Sequence, residues 1–118
     1  MGARAQEEAL CRSSALYATI LGDPMYDCEI QAFRLGDISL VGLPGEPFVE
    51  GQLRIKVESP AYPTYVAHNC NDLLGYVPTP RAFQGGGYET RTSNWSCLAP
   101  EALDMMADRA GDMLRELF

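Results

Sequence analysis

The fold of this chain is decided by residues 28–46, which read CEIQAFRLGDISLVGLPGE. Residues 28–35 have the composition of a strand. Gly36-Asp37 follows and, because glycine reaches the backbone angles of a tight turn, predicts a two-residue hairpin. Residues 38–43 are almost continuously apolar, which predicts a second strand covered on both faces. The stretch ends on Pro44-Gly45-Glu46, so a carboxylate stands at the exit of an apolar strand.

A helix and a third strand are predicted after this carboxylate. Apolar residues recur every four positions and predict a helix with one buried stripe, formed by Val49, Leu53 and Val57. Ser59-Pro60 ends the helix, and residues 65–67 begin the next strand. The strand–helix–strand order predicts a right-handed crossover with parallel pairing of the two strands.

Two more helices are predicted, over residues 3–21 and 100–117, from apolar side chains spaced near 3.6 residues. The predicted fold class is therefore α/β, with a short mixed sheet of about three strands (a hairpin plus a β-α-β crossover). About three helices flank this sheet, in the order α-β-β-α-β-loop-α. Residues 1–118 form a single domain, in which 69–98 is a long loop of the kind that often carries function.

Composition excludes several classes of protein. Nine basic against sixteen acidic residues give a net charge of −7, which disfavours binding to nucleic acid or to anionic membranes. The four cysteines form no Cys-x-x-Cys pair, so neither a zinc ribbon nor a redox motif is predicted. We expect a cytoplasmic protein with free thiols, because no signal peptide and no membrane span are visible.

Glu46 is the best single candidate for a site. A carboxylate here is either a ligand or a charge at a helix start, where it would gain about 0.3–1 kcal/mol from the helix dipole. About forty residues later, three glycines precede Tyr88 and Glu89. Tyr88 could donate a hydrogen bond or bind a metal as phenolate, or it could lie in an ordinary surface loop.

His68 and Cys70 alternate at a strand end, so both side chains can point the same way. Such a pair can supply two zinc ligands, although a lone histidine with a satisfied hydrogen bond is the simpler explanation. As the only histidine of the chain, His68 cannot build a histidine-rich metal site. No nucleophile elbow, phosphate loop or dinucleotide fingerprint is present, which leaves a hydrolytic triad unsupported.

Four segments, taken in order, resemble the neutral/alkaline ceramidase family: IQAFRLGD at 30–37, LPGE at 43–46, NDLLGYVPT at 71–79 and GYE at 87–89. The resemblance covers about residues 28–117 and corresponds to the C-terminal part of that family's catalytic domain only. Members of the family are zinc amidases that cleave ceramide to sphingosine and a fatty acid.

The resemblance implies roles for individual residues. Glu46 and Tyr88 stand where the family has zinc ligands, and Tyr76 becomes a catalytic candidate. The cleft would be lined by Asn71, Thr79, His68 and Glu89. The family's two zinc histidines and its serine have no counterpart among these residues, so zinc is implied with an incomplete ligand set.

Three functions follow from these observations. In the first, the chain is a stand-alone fragment of a ceramidase-like fold, without ceramidase activity alone, that covers its exposed apolar surface by self-association as a homo-oligomer. In the second, it is the C-terminal half of a split zinc-dependent amidase, whose partner supplies the histidine ligands and the nucleophile. In the third, it is a small-molecule or protein binding module that uses the residual cleft.

Overall fold

The structure, a computed structural model, describes residues 2–12, 25–91 and 96–118. Its strands are β1 (Gly2–Arg12), β2 (Met25–Leu35), β3 (Ile38–Gly42), β4 (Glu46–Pro47), β5 (Thr64–Ala67) and β6 (Tyr76–Val77). Its helices are α1 (Val49–Glu58), α2 (Pro80–Gly85) and α3 (Ala102–Leu117). No helix within these three ranges is long and apolar enough to cross a membrane.

The strands form two sheets. The main sheet has the order β1-β2-β3-β5, in which β3 pairs antiparallel with β2 and parallel with β5. Since α1 connects β3 to β5, the predicted β-α-β unit is present, and the α/β fold class is confirmed. A second sheet consists of the short parallel pair β4-β6. The region predicted as the loop 69–98 therefore contains β6 and α2.

The predicted hairpin is confirmed. Leu35 pairs with Ile38, and the two residues between them form the turn. Gly36 has φ +65°, a left-handed conformation that a side chain would oppose. This turn sets the register of β2 against β3, and through it the register of the main sheet.

The helix predicted over residues 3–21 is wrong for its first half. Residues Gly2–Arg12 form β1, which pairs antiparallel with β2 from Gly2↔Leu35 to Arg12↔Met25. The remainder of the predicted helix, 13–21, lies outside the described residues. Without β1, the backbone N–H and C=O groups along one edge of β2 would have no partners. Pairing with β1 satisfies these groups, and this outweighs the helical spacing of apolar residues in the sequence.

The stripe predicted as the buried side of α1 is also wrong. Val49, Leu53 and Val57 are all at least half exposed, whereas Gly51 and Ile55 are buried. A Cβ built on Gly51 would lie 2.5 Å from Leu103 Cδ1, so the bare glycine lets α1 pack closely on α3. Both stripes recur every four residues, and the tertiary contact decides which one faces inward.

Strand β3 is covered on one face, not on both as predicted. Val41 is fully buried in the core, while Ile38 and Leu40 remain 39% and 38% exposed. The core is formed by alternate residues of β2 and β3 together with the inner sides of α1 and α3, including Met106, Met113 and Leu114 of the predicted last helix. The other side of the main sheet, called here the open face, carries Phe33, Leu35, Ile38, Leu40 and Tyr65.

Candidate functional site

The two-residue sheet β4-β6 places Glu46 beside Tyr76. The two residues are aligned in the parallel pair, and the Glu46 backbone N–H donates to the Gly75 carbonyl oxygen at 2.8 Å. Aligned residues of neighbouring strands direct their side chains to the same face. The exposed carboxylate of Glu46 therefore shares a face with the half-buried phenol of Tyr76.

Gly45 allows β4 and β6 to lie close together. Its N–H donates to the Asp72 carbonyl oxygen at 3.0 Å, and its own carbonyl accepts from the Asn69 N–H at 2.7 Å. Gly45 has φ +67°, and a Cβ built on it would lie 2.6 Å from the Gly75 carbonyl oxygen. The Pro-Gly-Glu sequence thus lets the loop before β6 close tightly on the exit of β3.

Tyr88 and Glu89 complete a group of four residues. The Tyr88 ring packs edge-on against the Tyr76 ring, with centroids 6.0 Å apart and an interplanar angle of 73°. The Gly85-Gly86-Gly87 segment ends α2 and turns the chain back toward Tyr76. Glu89 is half-buried, and its charge raises the pKa of Tyr76. We call this group, Glu46, Tyr76, Tyr88 and Glu89, the polar cluster.

The polar cluster changes the acidity of Tyr76. Burial raises the pKa of the Tyr76 phenol above its ordinary value of 10.0, and the charges of Glu46, Tyr88 and Glu89 raise it further. Like an unshifted tyrosine, the phenol is protonated at neutral pH and can donate a hydrogen bond. Because the folded chain binds this proton more tightly than the unfolded chain does, the protonated phenol contributes to the stability of the fold. This contribution is complete below pH 10.0 and is lost as the pH rises through the folded pKa.

We expect Glu46→Gln to lower the pKa of Tyr76, because the substitution removes a negative charge whose effect on this pKa is second only to that of burial. The titration is followed by NMR of ¹³C-labelled tyrosine, with the Tyr76 signal assigned by its loss in Tyr76→Phe. Glu116→Gln, an exposed change on α3, is the control and leaves the pKa unchanged. A Tyr76 pKa at or below 10.0 in the unsubstituted chain would contradict the proximity of these charges.

Three of the residues predicted to line the cleft make contacts or line surfaces outside the polar cluster. Thr79 caps α2, because its Oγ1 accepts from the Ala82 N–H at 3.1 Å. Asn71, in a left-handed conformation with φ +63°, donates through Nδ2 to Glu29 Oε1 on β2 at 2.6 Å. His68 is exposed and lines a separate cavity. Of the predicted site residues, the structure gathers Glu46, Tyr76, Tyr88 and Glu89.

That cavity has a volume of about 240 Å³ and lies where β3 and β5 end and α1 begins. Its lining residues are Leu43, Pro47, Val49, Gln52, Val66, Ala67 and His68. Sequence reasoning identified only His68 among them as a site residue. Gln52 carried no signal, because a single glutamine in a helix is ordinary.

The described residues do not by themselves fit a zinc ion. Nowhere in the described ranges do three His, Cys, Asp or Glu side chains come together as a metal-binding group. Glu46 and Tyr88 are two oxygen donors, whereas a catalytic zinc has three protein ligands and an open position. No step of a reaction can therefore be assigned to zinc on these residues alone.

The Glu46 side chain should contribute little to stability if its role is to face a ligand. The side chain is exposed, and the contact of Glu46 with the strand pair is made by its backbone N–H. We expect Glu46→Ala to change the free energy of unfolding by no more than about 0.5 kcal/mol, measured by urea denaturation. A loss of several kcal/mol would instead identify a structural carboxylate and remove the ligand interpretation.

Comparisons with known proteins give two different similarities. The family model for the catalytic domain of microbial-type PARG matches residues 1–35, which is 35 of 118 residues. A search of curated proteins finds no match.

Solved structures match the larger part of the chain. One, described as a ceramidase complexed with C2, has 23% identity and a TM-score of 0.63 and covers 75% of this chain. Another, the neutral ceramidase from Pseudomonas aeruginosa, has 22% identity and a TM-score of 0.56 and covers 77%. The chain spans only 15% and 16% of the length of these two proteins. The predicted resemblance is thus confirmed at the level of the fold.

Proposed function

We propose that this chain forms one side of a composite amide-hydrolase site of the ceramidase type and has no ceramidase activity alone. The observation that carries the proposal is the polar cluster, which unites residues from three separate segments on a ceramidase-like fold. In this proposal Glu46 and Tyr88 are metal ligands from this chain. Zinc would polarise an amide carbonyl or activate water once further ligands completed its coordination.

Tyr76 has a defined task in this proposal. The phenol is protonated at neutral pH, since its pKa lies above the ordinary value of 10.0, and it can donate a hydrogen bond to an oxygen that gains negative charge. Its ring packs edge-on against the ring of Tyr88, which favours one orientation of the phenol. Glu89 lies close enough for its charge to act on the same phenol and so disfavours its ionisation.

The open face supports association of the chain with further polypeptide. Phe33 pairs with Leu40, and Leu40 with Tyr65, so the three form an apolar row across β2, β3 and β5. Leu35 and Tyr65 are 58% and 55% exposed. An apolar row of this kind on a sheet is covered in stable proteins by another layer. In this proposal the layer comes from self-association.

The first test is the size of the assembly by light scattering, with the zinc content measured on the same sample purified without chelator. We expect a dimer or larger assembly without zinc that hydrolyses no ceramide, because in this proposal self-association covers the open face but supplies none of the missing metal ligands. A monomer that binds stoichiometric zinc and cleaves ceramide would overturn the proposal, because a single chain would then contain a complete site.

Leu40→Glu tests whether the open face carries the association. A carboxylate in the middle of the apolar row should dissociate the assembly, since its burial without a partner is costly. Leu73→Glu is the matched control, because Leu73 is 80% exposed and lies outside the main sheet. Equal effects of the two substitutions on the measured mass would exclude the open face as the interface.

The second candidate, a split amidase with a complementary N-terminal half, rests on the same polar cluster and its missing ligands. In that case the partner supplies the histidine ligands and the nucleophile. A neighbouring reading frame with a His-x-His motif is the discriminating observation. Amide hydrolysis that appears only when both chains are mixed, and that is lost with Glu46→Gln or Tyr88→Phe, would establish it.

A further inference from the structure

The Glu29 carboxylate lies on β2, just beyond the end of β3. Strand β2 pairs with β3 through residues 31–35 only, and β3 ends at Gly42, so the first half of β2 continues past this neighbour. Side chains alternate along a strand and Ile30 is fully buried, so Glu29 projects on the side of the open face. Sequence reasoning did not select Glu29, because a single glutamate in a strand is ordinary.

Glu29 Oε1 accepts two hydrogen bonds. Gln31 Nε2, two residues along the same strand, donates at 2.8 Å, and Asn71 Nδ2 donates at 2.6 Å. The bond from Gln31 orients the carboxylate, and the bond from Asn71 joins the loop 68–75 to β2. Asn71 has φ +63°, a left-handed conformation that asparagine adopts more readily than most residues. Hydrogen bonds to an ionised acceptor are among the stronger ones in proteins.

The loop 68–75 supplies the backbone acceptors that hold Glu46 in place. The residue directly after Asn71 accepts through its carbonyl oxygen from the Gly45 N–H at 3.0 Å. At the end of the loop, the Gly75 carbonyl oxygen accepts from the Glu46 N–H at 2.8 Å. The next residue begins β6. A displacement of the loop at Asn71 therefore alters the alignment of β4 with β6.

We propose that Glu29 is a positioning residue for the polar cluster, and that it acts by holding the loop 68–75 through Asn71. The resemblance implied that Asn71 lines the cleft, whereas in this proposal it is the link between the cleft and β2. The importance of the link for chemistry rests on the proposed function. Its effect on Glu46 and Tyr76 depends neither on zinc nor on amide hydrolysis.

Asn71→Gly tests the link without straining the backbone, because glycine adopts the left-handed conformation freely. The readout is the pKa of Tyr76, followed by NMR of ¹³C-labelled tyrosine. We expect this pKa to fall toward 10.0, since a loosened loop lets water reach the phenol and moves it away from Glu46. A loss of global stability alone would leave the pKa of the folded chain unchanged.

Asn69→Gly is the matched control. Asn69 is exposed and also left-handed, with φ +51°, but its side chain forms no hydrogen bond within the described part of the chain. The same substitution two residues earlier should leave the pKa of Tyr76 unchanged. Circular dichroism of both variants checks that the fold is retained.

A reversal of donor and acceptor provides a rescue. Asn71→Asp removes the donor and places a second carboxylate against Glu29, so amide hydrogen exchange at Gly45 and Glu46 should accelerate about three- to tenfold. Adding Glu29→Gln to this variant supplies an amide that can donate to the new carboxylate. Exchange in the double variant should return to within about twofold of the rate in the unsubstituted chain.

Three results would overturn the proposal. They are an unchanged pKa of Tyr76 in Asn71→Gly, an equal fall of this pKa in Asn69→Gly, and no recovery of slow exchange when Glu29→Gln is added to Asn71→Asp. Zinc content, assembly size and ceramide hydrolysis test the proposed function and do not enter these readouts, so a failure of either proposal is recognised separately.

Discussion

Replacing Gly45 by alanine is expected to lower the free energy of unfolding by about 2–4 kcal/mol, measured by urea denaturation. Gly45 has φ +67°, and an added Cβ would lie 2.6 Å from the Gly75 carbonyl oxygen. That oxygen belongs to the backbone and already accepts from the Glu46 N–H, so it cannot move aside without loss of the hydrogen bond. The alanine should therefore separate β4 from β6 and displace Glu46 from Tyr76.

Gly36→Ala is the matched control for this prediction. Gly36 has nearly the same φ, +65°, but nothing lies within 4 Å of a Cβ built on it. Its substitution reports the backbone strain alone, which we expect to cost about 1 kcal/mol after the smaller unfolded-state entropy of alanine is included. Equal losses for the two variants would mean that the close contact at Gly45 contributes nothing.

Ile55→Ala is expected to lower the free energy of unfolding by about 2–5 kcal/mol, and Leu53→Ala by less than about 1 kcal/mol. Ile55 is 1% exposed in the core, whereas Leu53, two residues earlier on α1, is 52% exposed. Both changes remove an aliphatic side chain from the same helix, so helix propensity affects them similarly. The comparison isolates burial.

Thermal or urea denaturation of the two variants decides which stripe of α1 faces the core. If Leu53→Ala proved the more damaging, α1 would be rotated with its Val49, Leu53 and Val57 stripe inward. Its close packing on α3 through Gly51 and Leu103 would then be wrong. Gly51→Val should be damaging in the observed packing alone, because its side chain would displace Leu103.

The candidate site was only partly predictable. The positions of Glu46, Tyr88 and Glu89 after an apolar strand and after three glycines mark them as candidates, whereas only the resemblance implies Tyr76. The structure brings the four together through β4, β6 and the turn after α2. Thr79 and Asn71 lie in the same segments, yet Thr79 caps α2 and Asn71 donates a hydrogen bond to Glu29. Proximity in sequence does not show which way a polar side chain points, because loop conformation and local hydrogen bonds decide it.

The sequence by itself determined the hairpin at Gly36, the crossover from β3 to β5 and the last helix. Each depends on local signals, namely a glycine in a tight turn and the spacing of apolar residues, which act within a few residues. Only the tertiary structure decided that residues 2–12 form a strand, that Ile55 rather than Leu53 is buried, and that one face of the main sheet stays open. These outcomes depend on which surface meets a partner, and strand pairing and close packing of helices outweigh weak local preferences.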